Sequence, residues 1–180
     1  MKTEKFTLLI TTKLKTKDPS AVTVKEVLTH DMGYGEKIVS VEREDLWELE
    51  AETRDRESAL KLAEDIAKKT WVFYNPNKHV LKLGIKREDT LKEKIRDEPR
   101  FVRTVRTRFN DDEKEISALK FLRETFKGAG RIKDIKKYTL WHLEINAASE
   151  EEAGRIAGEI AVNRTIGRGL LANPGSQEVG

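Results

Sequence analysis

Cysteine is absent from the 180 residues. Disulfides, thiolate metal centres and cysteine nucleophiles are therefore excluded for this chain. Histidine appears only at positions 30, 79 and 142, and no HExxH, DxDxDG or Gly-rich loop ending in Lys-Ser/Thr occurs. No cofactor, metal or catalytic residue is expected. No apolar run approaches the roughly 18 residues of a helical membrane span, and the opening MKTEKFTLLITTK is broken by lysines with no small-residue cleavage site. A cytoplasmic protein with no membrane partner is expected. An excess of one charge is also lacking, because Lys+Arg 35 against Asp+Glu 32 leaves +3. That balance argues against a function that works by basicity alone. What the chain does have is charge of both signs and an apolar fraction of 37%, sufficient for a folded core. The abundance of Lys, Arg and Glu points to a thermophilic source.

The strongest internal signal is a repeat. DLWELEAETRDRESALKLAEDIAKK from Asp45 is echoed by TLWHLEINAASEEEAGRIAGEIAVN from Thr139, with Trp47 and Trp141 lying 94 residues apart. The same offset pairs Leu49 with Leu143, Ala59 with Ala153, Ala63 with Ala157, Ile66 with Ile160 and Ile38 with Ile132. A tandem duplication is the expected origin, with a first repeat over 1–86, a charged linker helix over 87–100 and a second repeat over 101–180.

Each repeat carries the same order of patterns. Phe6 to Leu14 alternates as a half-buried strand does. A helix follows, with Asp18 as cap, Pro19 in the first turn, Ala21, Val24, Val27 and Leu28 as its stripe, and Gly33 as a left-handed stop. Ile38 to Val41 and Leu46 to Ala51 read as two strands joined by a charged turn at Arg43-Glu44-Asp45, with Trp47, Leu49 and Ala51 facing the core. A second helix has apolar residues at Ala59, Leu62, Ala63, Ile66 and Ala67, and its counterpart at Ala153, Ile156, Ala157, Ile160 and Ala161 begins with Ser149 and Glu152 at capping-box spacing. A last strand, His79 to Ile85, follows in the first repeat only. The fold class expected is α+β: two ferredoxin-like β-α-β-β-α(-β) units, each an antiparallel sheet covered by helices on one face, with the two sheets packed as an internal pseudo-dimer.

Several strings resemble PurS, the small subunit of phosphoribosylformylglycinamidine synthase. They are FTLLITTKLKTKDP, Gly33-Tyr34, IVSVEREDLWELEAE, SEEEAGRIAGEI and LLANPGSQE from Leu170 to Glu178. Leu171-Ala172-Asn173-Pro174 matches a stretch that follows the second helix in that family, and Tyr74-Asn75-Pro76 is its weaker first-repeat version. Family members are typically single units of about half this length, so the fusion of two is a departure, as is the missing last strand of the second repeat. The resemblance implies a non-catalytic subunit of purine biosynthesis that joins the synthetase subunit to the glutaminase subunit and helps ammonia pass between them. It leaves further self-association open. Asn75, Pro76, Asn173 and Pro174 are the partner-contact residues it suggests, and Arg168 is a further contact candidate, because Gly167-Arg168-Gly169 could bind phosphate through exposed amides and the arginine. Their bland reading is structural: turns leading out of helices, and glycines at 167 and 169 that permit left-handed backbone.

Two other functions compete with this one. Arg100, Arg103, Arg106, Arg108 and the lysines and arginines from Lys120 to Lys137 make the second repeat locally basic, yet its first strand offers only Phe109 for base stacking. RNA binding is not expected. A small-molecule sensor of amino acids or nucleotides shares the topology, but the turn Lys15-Thr16-Lys17-Asp18-Pro19 and its counterpart Asn110-Asp111-Asp112 contain no glycine, which counts against it.

Overall fold

The computed structural model describes residues 3–86, 100–110, 113–162, 170–172 and 177–180. Along them run β1 (Glu4–Leu14), α1 (Pro19–Glu26) with a π-helical turn (Val27–Asp31), β2 (Ile38–Thr53), α2 (Arg56–Thr70) and β3 (His79–Ile85). Next come β4 (Arg100–Phe109), α3 (Glu113–Thr125) with a 3-10 turn (Ala129–Arg131), β5 (Ile132–Asn146), α4 (Glu150–Ala161) and β6 (Gln177–Val179). The strands form a single sheet in the order β3-β1-β2-β5-β4-β6, not the two separate sheets expected. Every pairing of β1 with β2 and β3, and of β4 with β5 and β6, is antiparallel.

Two expectations about strands need correction. Ile38–Val41 and Leu46–Ala51 are parts of one 16-residue strand, because the intervening charges have partners that hold them in extended backbone. Arg43 reaches Asp18 at 3.3 Å and lies over the Trp141 ring, while Glu44 is buried 3.5 Å from His142. No glycine or proline interrupts the run. The second repeat also has its last strand: β6 is only three residues long, but it pairs Val179 with Thr107 and Gln177 with Phe109. Residues 87–99 of the expected linker helix lie outside the described residues, and Arg100 begins β4.

The chain divides into two compact units that do not follow the order of the repeats. Unit 1 takes Met1–Lys15, Asp45–Thr90 and Asp111–Tyr138, and unit 2 takes Thr16–Glu44, Leu91–Asn110 and Thr139–Gly180. Each unit therefore draws one of its helices from the other half of the sequence. The core of unit 1 sets Leu8, Ile10, Trp47 and Leu49 of the sheet against Leu62 and Ile66 of α2 and Leu122 of α3. In unit 2, Val105, Trp141, Leu143 and Ile145 meet Ile156 and Ile160 of α4 and Leu28 beyond α1. Burying each of these large aliphatic side chains contributes about 1.5–3 kcal/mol.

The helix starts follow their cap chemistry. Asp18 accepts from the amides of Ser20 and Ala21, Asp55 from Ser58, and Ser149 from Glu152. Glu152 reaches back to the amide of Ala148 at 2.9 Å, so Ser149 and Glu152 between them satisfy two donors at the start of α4. Gly33 takes φ +74, the left-handed stop after the first helix.

Candidate functional site

The segment after α2 in unit 1 is built around Asn75. Its Oδ1 accepts from the Asn77 amide at 2.9 Å, its carbonyl accepts from Lys78 and His79, and its own amide donates to His79 Nδ1 at 3.2 Å. Lys15 donates through Nζ to the Pro76 carbonyl at 2.7 Å, tying the turn to the end of β1. Proline at 76 keeps Asn75 out of helical backbone, so the turn is fixed locally from both sides. Asn75 and Pro76 are partly exposed and sit on this rigid turn. Arg168, Asn173 and Pro174 lie outside the described residues.

Sequence reasoning missed the residue that marks this segment most clearly. Trp71 ends α2 in left-handed backbone, with φ 58 and ψ 10, and is 59% exposed. Glycine or asparagine ordinarily occupies that place, and a tryptophan there costs about 1–2 kcal/mol of backbone strain. Tryptophan is one of the residue types enriched among the side chains that dominate binding energy at protein interfaces. A bulky residue at the end of an apolar stripe, followed by Asn-Pro, was the available signal.

The sheet faces turned away from the helices are charged but largely neutralised. In unit 1, Lys86 lies 3.3 Å from the buried carboxylate of Glu48, and Lys133 lies 3.2 Å from Glu52. Lys5, Thr7, Glu50, Glu52 and Lys133 line a shallow hollow of about 240 Å³ there. In unit 2, Ser40 donates to Glu144 at 2.8 Å, and the hydroxyl of Thr104 shares a 2.9 Å hydrogen bond with His142 Nδ1. His142 Nε2 faces Glu44, so hydroxyl, imidazole and carboxylate form a line across three neighbouring strands. Such cross-strand pairs satisfy one another and stabilise a sheet. Part of the basic run of the second repeat is met by carboxylates in space: Arg103 by Glu150 at 3.1 Å, Arg100 by Glu144 at 3.8 Å, Arg108 by Glu178 at 3.9 Å and Lys137 by Asp45 at 3.9 Å. Among the described residues, no group of three His, Asp or Glu side chains is placed to hold a metal ion.

Titration is perturbed chiefly at helix starts. The Ser58 backbone and side chain, with Arg54 beside them, hold the Asp55 carboxyl down at about 2. Glu152 is lowered by the Ala148 amide, with Lys37 assisting. Burial and a hydrogen bond to Glu159 raise the Tyr34 phenol.

The family model for PurS, phosphoribosylformylglycinamidine (FGAM) synthase, matches residues 5–87. That span holds β1, α1, β2, α2 and β3, and with them Trp71, Asn75 and Pro76. The strings noted from Ser149 onward fall beyond it. No curated protein and no solved structure matches the chain. Residues 5–87 are thus similar to the PurS family.

Proposed function

We propose that the chain is a non-catalytic assembly subunit of the FGAM synthase complex in de novo purine biosynthesis, bridging its synthetase and glutaminase subunits for ammonia transfer. The match of residues 5–87 to the PurS family carries this reading. Residues 1–86 and 101–180 are two PurS-like copies from a tandem duplication, joined through 87–100 and serving as the internal equivalent of a pair of subunits. The repeated order of strand, helix, strand, helix, strand supports that origin. Contact with a partner subunit falls on Trp71, Asn75 and Pro76 after α2, and on Arg168, Asn173 and Pro174 after α4. The exposure of Trp71 beside a locally fixed turn supports the first of these clusters.

A tagged pull-down from the source extract, with ATP, Mg²⁺ and glutamine present, tests the reading. Synthetase and glutaminase subunits are expected in the retained fraction, and Trp71→Ala is expected to release them. Failure to retain either subunit from an extract that contains both overturns the assembly role.

A further inference from the structure

Unit 1 contains a groove of about 420 Å³ between α2 and the turn after α3. Ser58, Lys61, Asp65 and Lys69 lie along one face of α2, and Lys127 and Arg131 approach from the turn. Four cations thus surround one carboxylate, which is already engaged by Lys69 at 2.7 Å. Lys61, Lys127 and Arg131 have no ion-pair partner among the described residues.

The turn that presents Lys127 and Arg131 is fixed. Phe126 accepts from the Ala129 amide at 2.9 Å and Gly128 accepts from the Arg131 amide at 3.2 Å. A side chain at Gly128 would come within 2.7 Å of the Phe126 ring, so this position is held open by glycine.

Unit 2 has the same positions, 94 residues away, filled differently. Tyr34 stands where unit 1 has Gly128, Lys37 where it has Arg131, and Glu152, Arg155 and Glu159 where it has Ser58, Lys61 and Asp65. There Tyr34 donates to Glu159 at 3.1 Å, Arg155 pairs with Glu159, and Lys37 lies 3.5 Å from Glu152. The unit 2 positions neutralise themselves. In unit 1 one carboxylate has become a serine and the tyrosine a glycine, while the cations remain.

We infer that the α2 groove of unit 1 is a binding site for a small molecule bearing two or more phosphate groups. Arg131 supplies a planar donor fork suited to phosphate oxygens, and the lysines supply point charges. The volume falls within the roughly 300–1,000 Å³ range of small-ligand clefts. An acidic protein segment would need aromatic or aliphatic anchors at the centre of its contact, and this groove offers mainly charged and hydroxyl side chains around Leu62 and Phe126.

Calorimetric titration of the intact protein with inorganic tripolyphosphate, at low ionic strength and again at 0.15 M salt, provides the test. Saturable binding is expected, weakened at least tenfold by Lys127→Gln and by Ser58→Glu. The second variant copies Glu152 and places a glutamate three residues after the Asp55 cap, where it suits the helix start. Tyr34→Phe in unit 2 is expected to leave the affinity unchanged. Absence of binding to the wild type, or equal binding by Lys127→Gln and Ser58→Glu, overturns the site. Tighter binding of a hexaglutamate peptide than of tripolyphosphate overturns the ligand class.

Discussion

Trp47 of unit 1 and Trp141 of unit 2 sit at matching places in β2 and β5, and each is almost fully buried in its own core. Each also has a cation over its ring, Lys137 at 5.5 Å in one case and Arg43 at 5.8 Å in the other. They differ at their edges. Trp47 packs against Phe73 with ring centroids 4.8 Å apart, whereas the buried Nε1 of Trp141 has no hydrogen-bond partner among the described residues. An unpaired buried donor costs about 1–3 kcal/mol. The fold demands a large aromatic at both places, but only its shape is used in full at the second.

Truncation gives the largest effect. Trp47→Ala and Trp141→Ala are each expected to destabilise by about 3–5 kcal/mol in denaturant titrations, since both leave large cavities in otherwise packed cores. A loss near 1 kcal/mol at either site contradicts its burial. Phenylalanine separates the two more sharply. Trp141→Phe removes the orphaned donor and is expected to fall within about 0.5 kcal/mol of wild type, while Trp47→Phe costs about 1 kcal/mol more through lost ring contact. Equal costs would mean that the Trp141 indole is satisfied in solution.

Trp71 inverts the sign. Trp71→Gly relieves the left-handed strain and is expected to stabilise unit 1 by about 1 kcal/mol, because the side chain is 59% exposed and contributes little burial. The same substitution is expected to weaken capture of partner subunits. A variant that is both less stable and fully able to assemble would remove Trp71 from the interface.

Much of this fold was legible because its signals are local. The stripe Ala59, Leu62, Ala63, Ile66 and Ala67 is buried as its spacing implies, Asp18 and Ser149 cap as their positions suggest, and Gly33 takes the positive φ expected of it. Long-range pairing was not legible. Arg43-Glu44-Asp45 looks like a turn until Asp18, His142 and Lys137 supply partners distant in sequence, and the exchange of helices between units leaves no periodic trace. The candidate site was half visible: Asn75-Pro76 announces a turn, but the backbone that exposes Trp71 depends on how α2 ends. In the basic run of the second repeat, the carboxylates that neutralise Arg100, Arg103 and Arg108 are distant in sequence and left no local trace.

The starts of α2 and α4 offer the smallest contrast and a titratable one. Both use a side-chain oxygen three residues ahead of the amide it caps, but Asp55 is an acid and Ser149 is not. The Asp55 carboxyl is lowered from 3.8 to about 2 in the folded protein, so folding favours its charged form. Its stabilising effect is complete above about pH 4 and is lost as the pH falls from 4 towards 2, where the folded state must take up the proton. Asp55→Ser transfers the α4 solution to α2 and is expected to flatten the fall in thermal midpoint across that window while leaving it nearly unchanged at pH 7. Glu152→Gln should flatten the fall further, because Glu152 is also lowered, by the amide of Ala148. Midpoints measured between pH 6 and pH 2 for wild type and both variants decide the matter. An acid slope that Asp55→Ser leaves intact would rule out the Asp55 cap as its source.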